Sequence, residues 1–208
     1  MVIQKILKKY LTYFPESSTE LSLASKQCNT SKDELELIDR KNFVGHFTSS
    51  VFVVYPSKVL LLKHKSLNIL LQPGGHIESS DADPYASALR ELKEETGIDP
   101  KYLQYEPLIP TDHVVPFHIN SHYIPENKSK HELGHYHHDL EYLFTADNMI
   151  DIQVDKNESL GFEWFDWKDF CAQKHFQDVA PKIEEMVSRR SANKFFFKVQ
   201  QEALKSLQ

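Results

Sequence analysis

The sequence predicts an α/β protein in which a mixed β-sheet is covered by helices on both faces. Three observations carry this expectation. The runs FTSSVFVVYP (47–56) and VLLLKH (59–64) are rich in β-branched and aromatic residues and are separated by a short Pro-Ser-Lys turn. A single helix with legible ends interrupts the strands: Asp83-Pro84 opens it with a capping carboxylate and a first-turn proline, and Gly97 supplies a left-handed stop. Helical periodicity occupies both ends of the chain.

Residues 3–14 place Ile3, Ile6, Leu7, Tyr10 and Leu11 on one side of a first helix, with Lys5, Lys8 and Lys9 largely off it. A second helix is expected from about Thr19 to Lys26. A third is expected from Ser31 to Arg40, with Ser31 as cap and Glu34 as capping-box partner. These helices carry no chemical signature; packing on the core is the default, and a lid or a dimer contact stays open. LNILLQPGG (67–75) reads as a third short strand, and Tyr102–Ile109 and Val114–Ile119 as two more. The polar segment 120–134 reads as a loop, HYHHDLEYLFTA as a strand and FEWFDW as another, followed by a short helix in DWKDFCAQ. Helices over roughly 178–190 and 193–207 complete the chain. The domain reading is an N-terminal helical extension packed on the core (1–43), a main α/β domain (44–170) and C-terminal helices of that same domain (171–208).

With 24 basic and 30 acidic residues the net charge is −6, which argues against a general surface for a nucleic-acid polymer but not against a nucleotide held through a metal. Cys28 and Cys171 have no metal spacing and no disulfide framework, and read as buried or partly buried free thiols. The opening MVIQKILKKYLTYF interleaves lysines with apolar residues and reads as an amphipathic helix rather than a targeting segment. No stretch approaches the roughly 20 apolar residues of a membrane span. A soluble cytoplasmic protein is expected.

On the central helix, Glu91, Glu94 and Glu95 share one face, while Tyr85, Ala88, Leu89 and Leu92 lie on another. Carboxylates at i, i+3 and i+4 repel unless a cation compensates them, and oxygen-only ligands suit Mg²⁺ or Mn²⁺. The plain alternative is a solvated acidic face paired with Arg90 and Lys93. The preceding glycine turn, which brings backbone close to the carboxylates, favours the metal.

This stretch resembles a Nudix box, G-x5-E-x7-R-E-U-x-E-E-x-G-U with U aliphatic. Gly75 matches the first position, and Arg90, Glu91, Leu92, Glu94, Glu95, Gly97 and Ile98 match the second half in unbroken register. The resemblance implies a Nudix-type α/β/α sandwich over roughly 44–170 and divalent-metal-dependent hydrolysis of a nucleoside diphosphate linked to another group, such as a nucleotide sugar. It implies Glu91, Glu94 and Glu95 as catalytic metal-ligand carboxylates, the Gly75 carbonyl as a further ligand, and Arg90 as the partner that orients a box glutamate. The spacing departs from the pattern by one extra residue between Gly75 and Arg90. The early glutamate position therefore falls on Asp81 counted from the glycine, or on Ala82 counted from the arginine. Asp81, Asp83 and Glu78 are carboxylates within the loop. The implied reaction is attack of water on one phosphorus of a small-molecule diphosphate, and Glu141, Glu158 and Glu163 are candidate general bases outside the box.

Seven of the eleven histidines lie between His113 and His138. Alternation puts His135, His137, Asp139 and Glu141 on one strand face and Tyr136, His138, Leu140 and Tyr142 on the other. His135, His137 and Asp139 are candidate ligands of a transition metal such as zinc. With His76, Glu78 and Glu141 they are also candidate substrate contacts. The plain alternative is a half-exposed strand with polar outer residues. Two other readings of the resemblance are a non-catalytic nucleotide sensor, which predicts lost box carboxylates, and an isopentenyl-diphosphate-isomerase-like enzyme, which shares the fold and uses histidine-rich metal ligands. A homodimer stays open.

Overall fold

The computed structural model describes residues 2–65, 68–128, 131–156 and 159–189. Three helices, α1 (Val2–Tyr13), α2 (Ser22–Thr30) and α3 (Glu34–Ile38), precede β1 (Gly45–Tyr55) and β2 (Lys58–His64). Two short strands, β3 (Leu70–Leu71) and β4 (Gly74–His76), lead into α4 (Pro84–Thr96). Strands β5 (Gln104–Tyr105), β6 (His118–Ile124), β7 (His135–Thr145) and β8 (Ser159–Asp166) follow, then α5 (Trp167–Ala172). A last helix, α6, runs through 180–189. No helix among the described residues is long and apolar enough to cross a membrane.

The sheet runs β3-β2-β1-β7-β5, with β4 added to β1, β6 to β7 and β8 to β2. It is mixed: β1 and β7 pair in parallel from Gly45↔Tyr136 to Val54↔Thr145, and the other described pairs are antiparallel. Successive side chains of a strand point to opposite faces. On one face Phe47, Val51, Val53, Leu140, Tyr142 and Phe144 meet Ala88 and Leu92 of α4 and Ile3, Ile6, Leu7 and Tyr10 of α1 in one buried cluster. On the other, Phe52, Val54, Leu61 and Leu143 pack with Phe170, Phe176, Val179 and Ile183. That second face turns polar toward the start of β1, where His46, Thr48 and Ser50 replace the apolar residues yet stay buried.

Helix α4 forms as its sequence signals require. The Asp83 carboxylate accepts from the Ala86 amide at 2.8 Å, and Gly97 closes the helix at φ 70°. Its apolar side is anchored by Tyr85, whose ring packs on Tyr105, Tyr142 and Phe144. Helices α1 and α6 meet at β6. Lys182 Nζ donates to the Tyr10 hydroxyl at 2.8 Å and to His118 Nδ1 at 2.9 Å.

Several sequence expectations need correction. The second helix begins at Ser22 rather than Thr19 and runs to Thr30. The third is capped by Asp33, not Ser31: Asp33 accepts from the Glu36 amide, and the Glu36 carboxylate accepts from the Lys32 amide, so the box is displaced by two residues. Glu34 instead accepts from the Val2 and Ile3 amides at 2.7 and 2.6 Å, satisfying free donors at the start of α1. The single strand expected in 67–75 is two, split around Pro73: β3 pairs with β2 and β4 with β1. Of Tyr102–Ile109 only Gln104–Tyr105 is strand, because Pro107 and Pro110 cannot donate to a ladder. The strand expected at Val114–Ile119 and the loop expected from 120 are both displaced. β6 starts at His118, after Pro116, and continues through polar Asn120–Ser121–His122, which β7 supplies with a complete backbone partner. Cys28 is buried as expected, but Cys171 is exposed. The helix expected over 193–207 lies outside the described residues.

Leu92 is fully buried between α4 and the sheet, whereas Leu35 is 58% exposed on α3. Leu92→Ala is expected to lower unfolding free energy by about 2–5 kcal/mol. Leu35→Ala should change it by no more than about 0.5 kcal/mol in the same urea titrations.

Candidate active site

Strand β4 lies antiparallel to β1, with Ser50 opposite Gly74, Ser49 opposite Gly75 and Thr48 opposite His76. This pairing holds the glycine backbone against the acidic face of α4. A Cβ on Gly75 would stand 2.7 Å from the Glu91 carboxylate, so any other residue there would push that carboxylate aside. Glu95 accepts from the Gly74 amide at 2.8 Å. Glu91 and Glu95 are almost fully buried, at 9% and 8% exposure, while the Glu94 side chain remains 60% exposed.

Arg90 ties the loop to the helix. Its Nε and Nη2 donate to the two oxygens of Asp81, each at 3.0 Å, and Nη2 also donates to the His76 carbonyl at 3.0 Å. Nη1 donates to Glu91 at 2.8 Å and to Glu94 at 3.0 Å. The extra residue in the loop is thereby accounted for. Asp81, the position counted from the glycine, occupies the guanidinium fork; Ala82 has no acceptor side chain, and Asp83 is spent on the helix cap. Glu78 donates its amide to Asp81 at 2.8 Å, closing the loop on itself, and its carboxylate accepts from Ser80. Burial pulls the Asp81 carboxyl upward, but Arg90, the Glu78 amide and Ser87 together outweigh it and the net shift is below the usual carboxylate value. The same partnership holds Arg90 charged.

The polar part of the other sheet face is a histidine cluster over a buried carboxylate. The parallel register puts His46 beside His137, and β6 brings His122 opposite His137. His135 Nε2 lies 3.1 Å from His137 Nε2, and the His46 ring centroid is 5.0 Å from that of His135 and 4.6 Å from that of His137. His76 joins from β4, its ring centroid 5.1 Å from His46 and 5.4 Å from His137. Burial and the neighbouring imidazoles push the His137 pKa down to about 2, and burial also lowers His46; both rings are neutral. Asp139 is not one of this group. It accepts from Thr48 at 2.9 Å, Ser50 at 2.6 Å and Gln72 at 3.3 Å, and burial raises its pKa. His138, on the opposite face, has both ring nitrogens engaged, at 2.8 Å to Ser121 and 2.7 Å to Gln27, and is a satisfied core histidine.

A profile of the NUDIX domain matches residues 46–187. The chain belongs to the NUDIX family. A hydrolase of that family from Clostridium perfringens has a similar structure at 25% identity and TM-score 0.52, covering 69% of this chain and 96% of its own. The dihydroneopterin triphosphate pyrophosphohydrolase of E. coli shares the fold at 16% identity and TM-score 0.52, over 69% of this chain and 95% of its own. A search of curated proteins finds no match to the sequence. The mixed sheet with helices on both sides is that of a Nudix hydrolase, and the chain is a Nudix-type hydrolase.

Among the sequence candidates, the structure brings Gly75, Arg90, Glu91, Glu94 and Glu95 together around the Nudix box. His76, His135 and His137 gather on the sheet. Glu141 is elsewhere: it lies opposite His118 on β6 and Ser50 on β1, fully buried, with Oε2 unpaired among the described residues. Burial and then the charge of Asp139 raise its pKa well above the ordinary carboxylate value. Glu163 is exposed on β8, opposite Leu61, and Glu158 lies outside the described residues. Sequence reasoning missed His46 and the Thr48–Ser50–Gln72 cradle of Asp139. The available signal was His46, Thr48 and Ser50 at alternate positions of an otherwise apolar strand, a polar face that must meet other polar groups.

The Asp81–Arg90 fork contributes stability that is fully present above the ordinary carboxyl pKa of 3.8 and is lost as pH falls through the lower native value. Asp81→Asn is expected to cost about 2 kcal/mol at neutral pH. Thermal melts from neutral pH down to the acid limb should therefore converge for the two proteins at the acid end.

Proposed function

We propose that this Nudix-type hydrolase cleaves a diphosphate linkage in a small nucleoside diphosphate derivative, using a divalent cation held by Glu91, Glu94, Glu95 and the Gly75 carbonyl. The observation that carries this reading is the seating of Glu91 and Glu95 against the Gly74–Gly75 backbone while one guanidinium is shared among Asp81, Glu91 and Glu94. Carboxylates crowded on one helix face repel one another, and a further cation among them relieves that repulsion. The donor set is all oxygen, which fits Mg²⁺ or Mn²⁺. Such an ion supplies positive charge against the charge developing on phosphate oxygens and makes a nearby water more acidic.

The chain's own residues then have distinct tasks. Arg90, fixed by Asp81, holds Glu91 and Glu94 in place from one side, and the Gly74 amide holds Glu95 from the other. A cleft beside the box runs between α3 and residues 76–79, lined by Arg40, His76 and Glu78 among others. Its cation, Arg40, stands among four carboxylates, Asp33, Glu36, Asp39 and Glu78, so the cleft suits an uncharged, hydrogen-bonding part of a substrate rather than a further phosphate. The attacking water loses its proton to a carboxylate that is ionised at neutral pH. Of the candidates, Glu141 has its ionised form disfavoured by burial and then by Asp139.

The test is turnover of a panel of nucleoside diphosphate derivatives with Mg²⁺ or Mn²⁺ by the full-length protein. Glu94→Gln and Glu95→Gln, which keep shape and remove charge, should each lower kcat by at least about 100-fold. Unchanged turnover in both variants would overturn the assignment. Tight binding of a panel member without turnover would point to a sensor, and conversion of isopentenyl diphosphate without phosphate release to an isomerase.

A further inference from the structure

The histidine cluster has the geometry of a second metal centre, separate from the box carboxylates and independent of whether they hydrolyse a diphosphate. We propose that His46, His135 and His137 bind a divalent transition-metal ion of the zinc class through their Nε2 atoms. One ligand atom from each of the three rings can be chosen so that all lie within 4.8 Å of one another. His135 Nε2 and His137 Nε2 are 3.1 Å apart, close to the edge of about 3.4 Å expected between two nitrogens on tetrahedral zinc at about 2.05 Å from each.

The hydrogen bonds behind the rings aim the lone pairs inward. His135 Nδ1 lies 2.7 Å from the Leu133 carbonyl and His46 Nδ1 lies 3.4 Å from the Asn42 carbonyl. A carbonyl only accepts, so each Nδ1 carries the proton and each Nε2 presents a lone pair. This is the tautomer that metal-bound histidines adopt when their other nitrogen donates to a backbone oxygen. His46 is the second, independent sign. The residue is 1% exposed, and its Nε2 is buried without a hydrogen-bond partner among the described residues. A buried lone pair with no donor is costly, and an ion at the shared point of the three rings removes that cost.

The chemistry of the donors also decides which ion belongs where. Three imidazoles suit Zn²⁺, Co²⁺ or Ni²⁺, whereas the oxygen-only box suits Mg²⁺ or Mn²⁺. Three protein ligands leave a fourth tetrahedral position, and His76, with its ring close to His46 and His137, is the neighbour placed to fill or guard it. Since β4 carries both His76 and the glycines of the box, the two centres would share one strand.

The test uses untagged full-length protein stripped with chelator and titrated with Co²⁺ alone, then Zn²⁺ in competition. One equivalent of Co²⁺ should give the visible bands of a four-coordinate ion, which Zn²⁺ bleaches and excess Mg²⁺ leaves intact. His46→Gln and His137→Gln should each weaken Co²⁺ binding by at least about 100-fold, while Glu91→Gln and Glu95→Gln leave it unchanged. Bands that survive in both histidine variants, vanish in the glutamate variants or never form would overturn the proposal. If the histidine variants fail to fold, NMR of the wild-type protein replaces them. One equivalent of Co²⁺ should shift and broaden the ring resonances of His46, His135 and His137 most strongly, and paramagnetic effects centred elsewhere, or none, would overturn it.

Discussion

The parallel pairing of β1 with β7 is the constraint on which the rest of the molecule depends. Its register places His46 beside His137, Thr48 beside Asp139, Ser50 beside Glu141 and Phe52 beside Leu143. A slip by one residue would send every one of these side chains to the opposite face. The apolar halves of both strands resist that slip, because Phe52, Val54 and Leu143 on one side and Val51, Val53 and Tyr142 on the other are already committed to separate clusters. The polar cluster is therefore held in place by hydrophobic packing farther along the same two strands. This explains how neutral, buried imidazoles and a buried carboxylate can be maintained at the other end.

A second constraint acts on the Nudix box. The glycine strand β4 uses the stretch of β1 edge at Thr48–Ser50, before β2 takes over near Val54. The box loop is thus hung from the same strand that supplies His46. Arg90 then closes the loop against α4 by bonding to Asp81, to the His76 carbonyl and to Glu91 and Glu94. A one-residue lengthening is tolerated because a shorter carboxylate side chain, one residue displaced, still reaches a planar guanidinium with two donors. Lysine, a point charge without a fork, could not serve all four partners in this way.

Legibility in the sequence followed the range of the interactions concerned. Helix α4 and its acidic face were readable because the Asp83 cap, the Gly97 stop and the 3.6-residue period are all local. The long strands were readable from Val, Phe and Leu content for the same reason. The region from 102 to 124 was not, because β6 is polar along much of its length and is a strand only by virtue of the partner that β7 offers. The displaced cap of α3 has a similar origin, since Glu34 is drawn away by amides of α1 some thirty positions earlier, a contact no local pattern encodes. Of the candidate site, the glutamates and Arg90 were visible in register. The histidines of β7 were visible as a density of one residue type, but His46 and His76 could be joined to them only by sheet topology.

The bond from Lys182 to Tyr10 and His118 joins segments that are synthesised far apart in time. Helix α1 is made before α6 and cannot complete its packing until that later helix has been added. Until then Tyr10, a residue with no exposed surface in the finished protein, lacks its closing neighbour. Helix α1 is thus among the latest elements to settle, and its amphipathic surface must remain soluble while it waits.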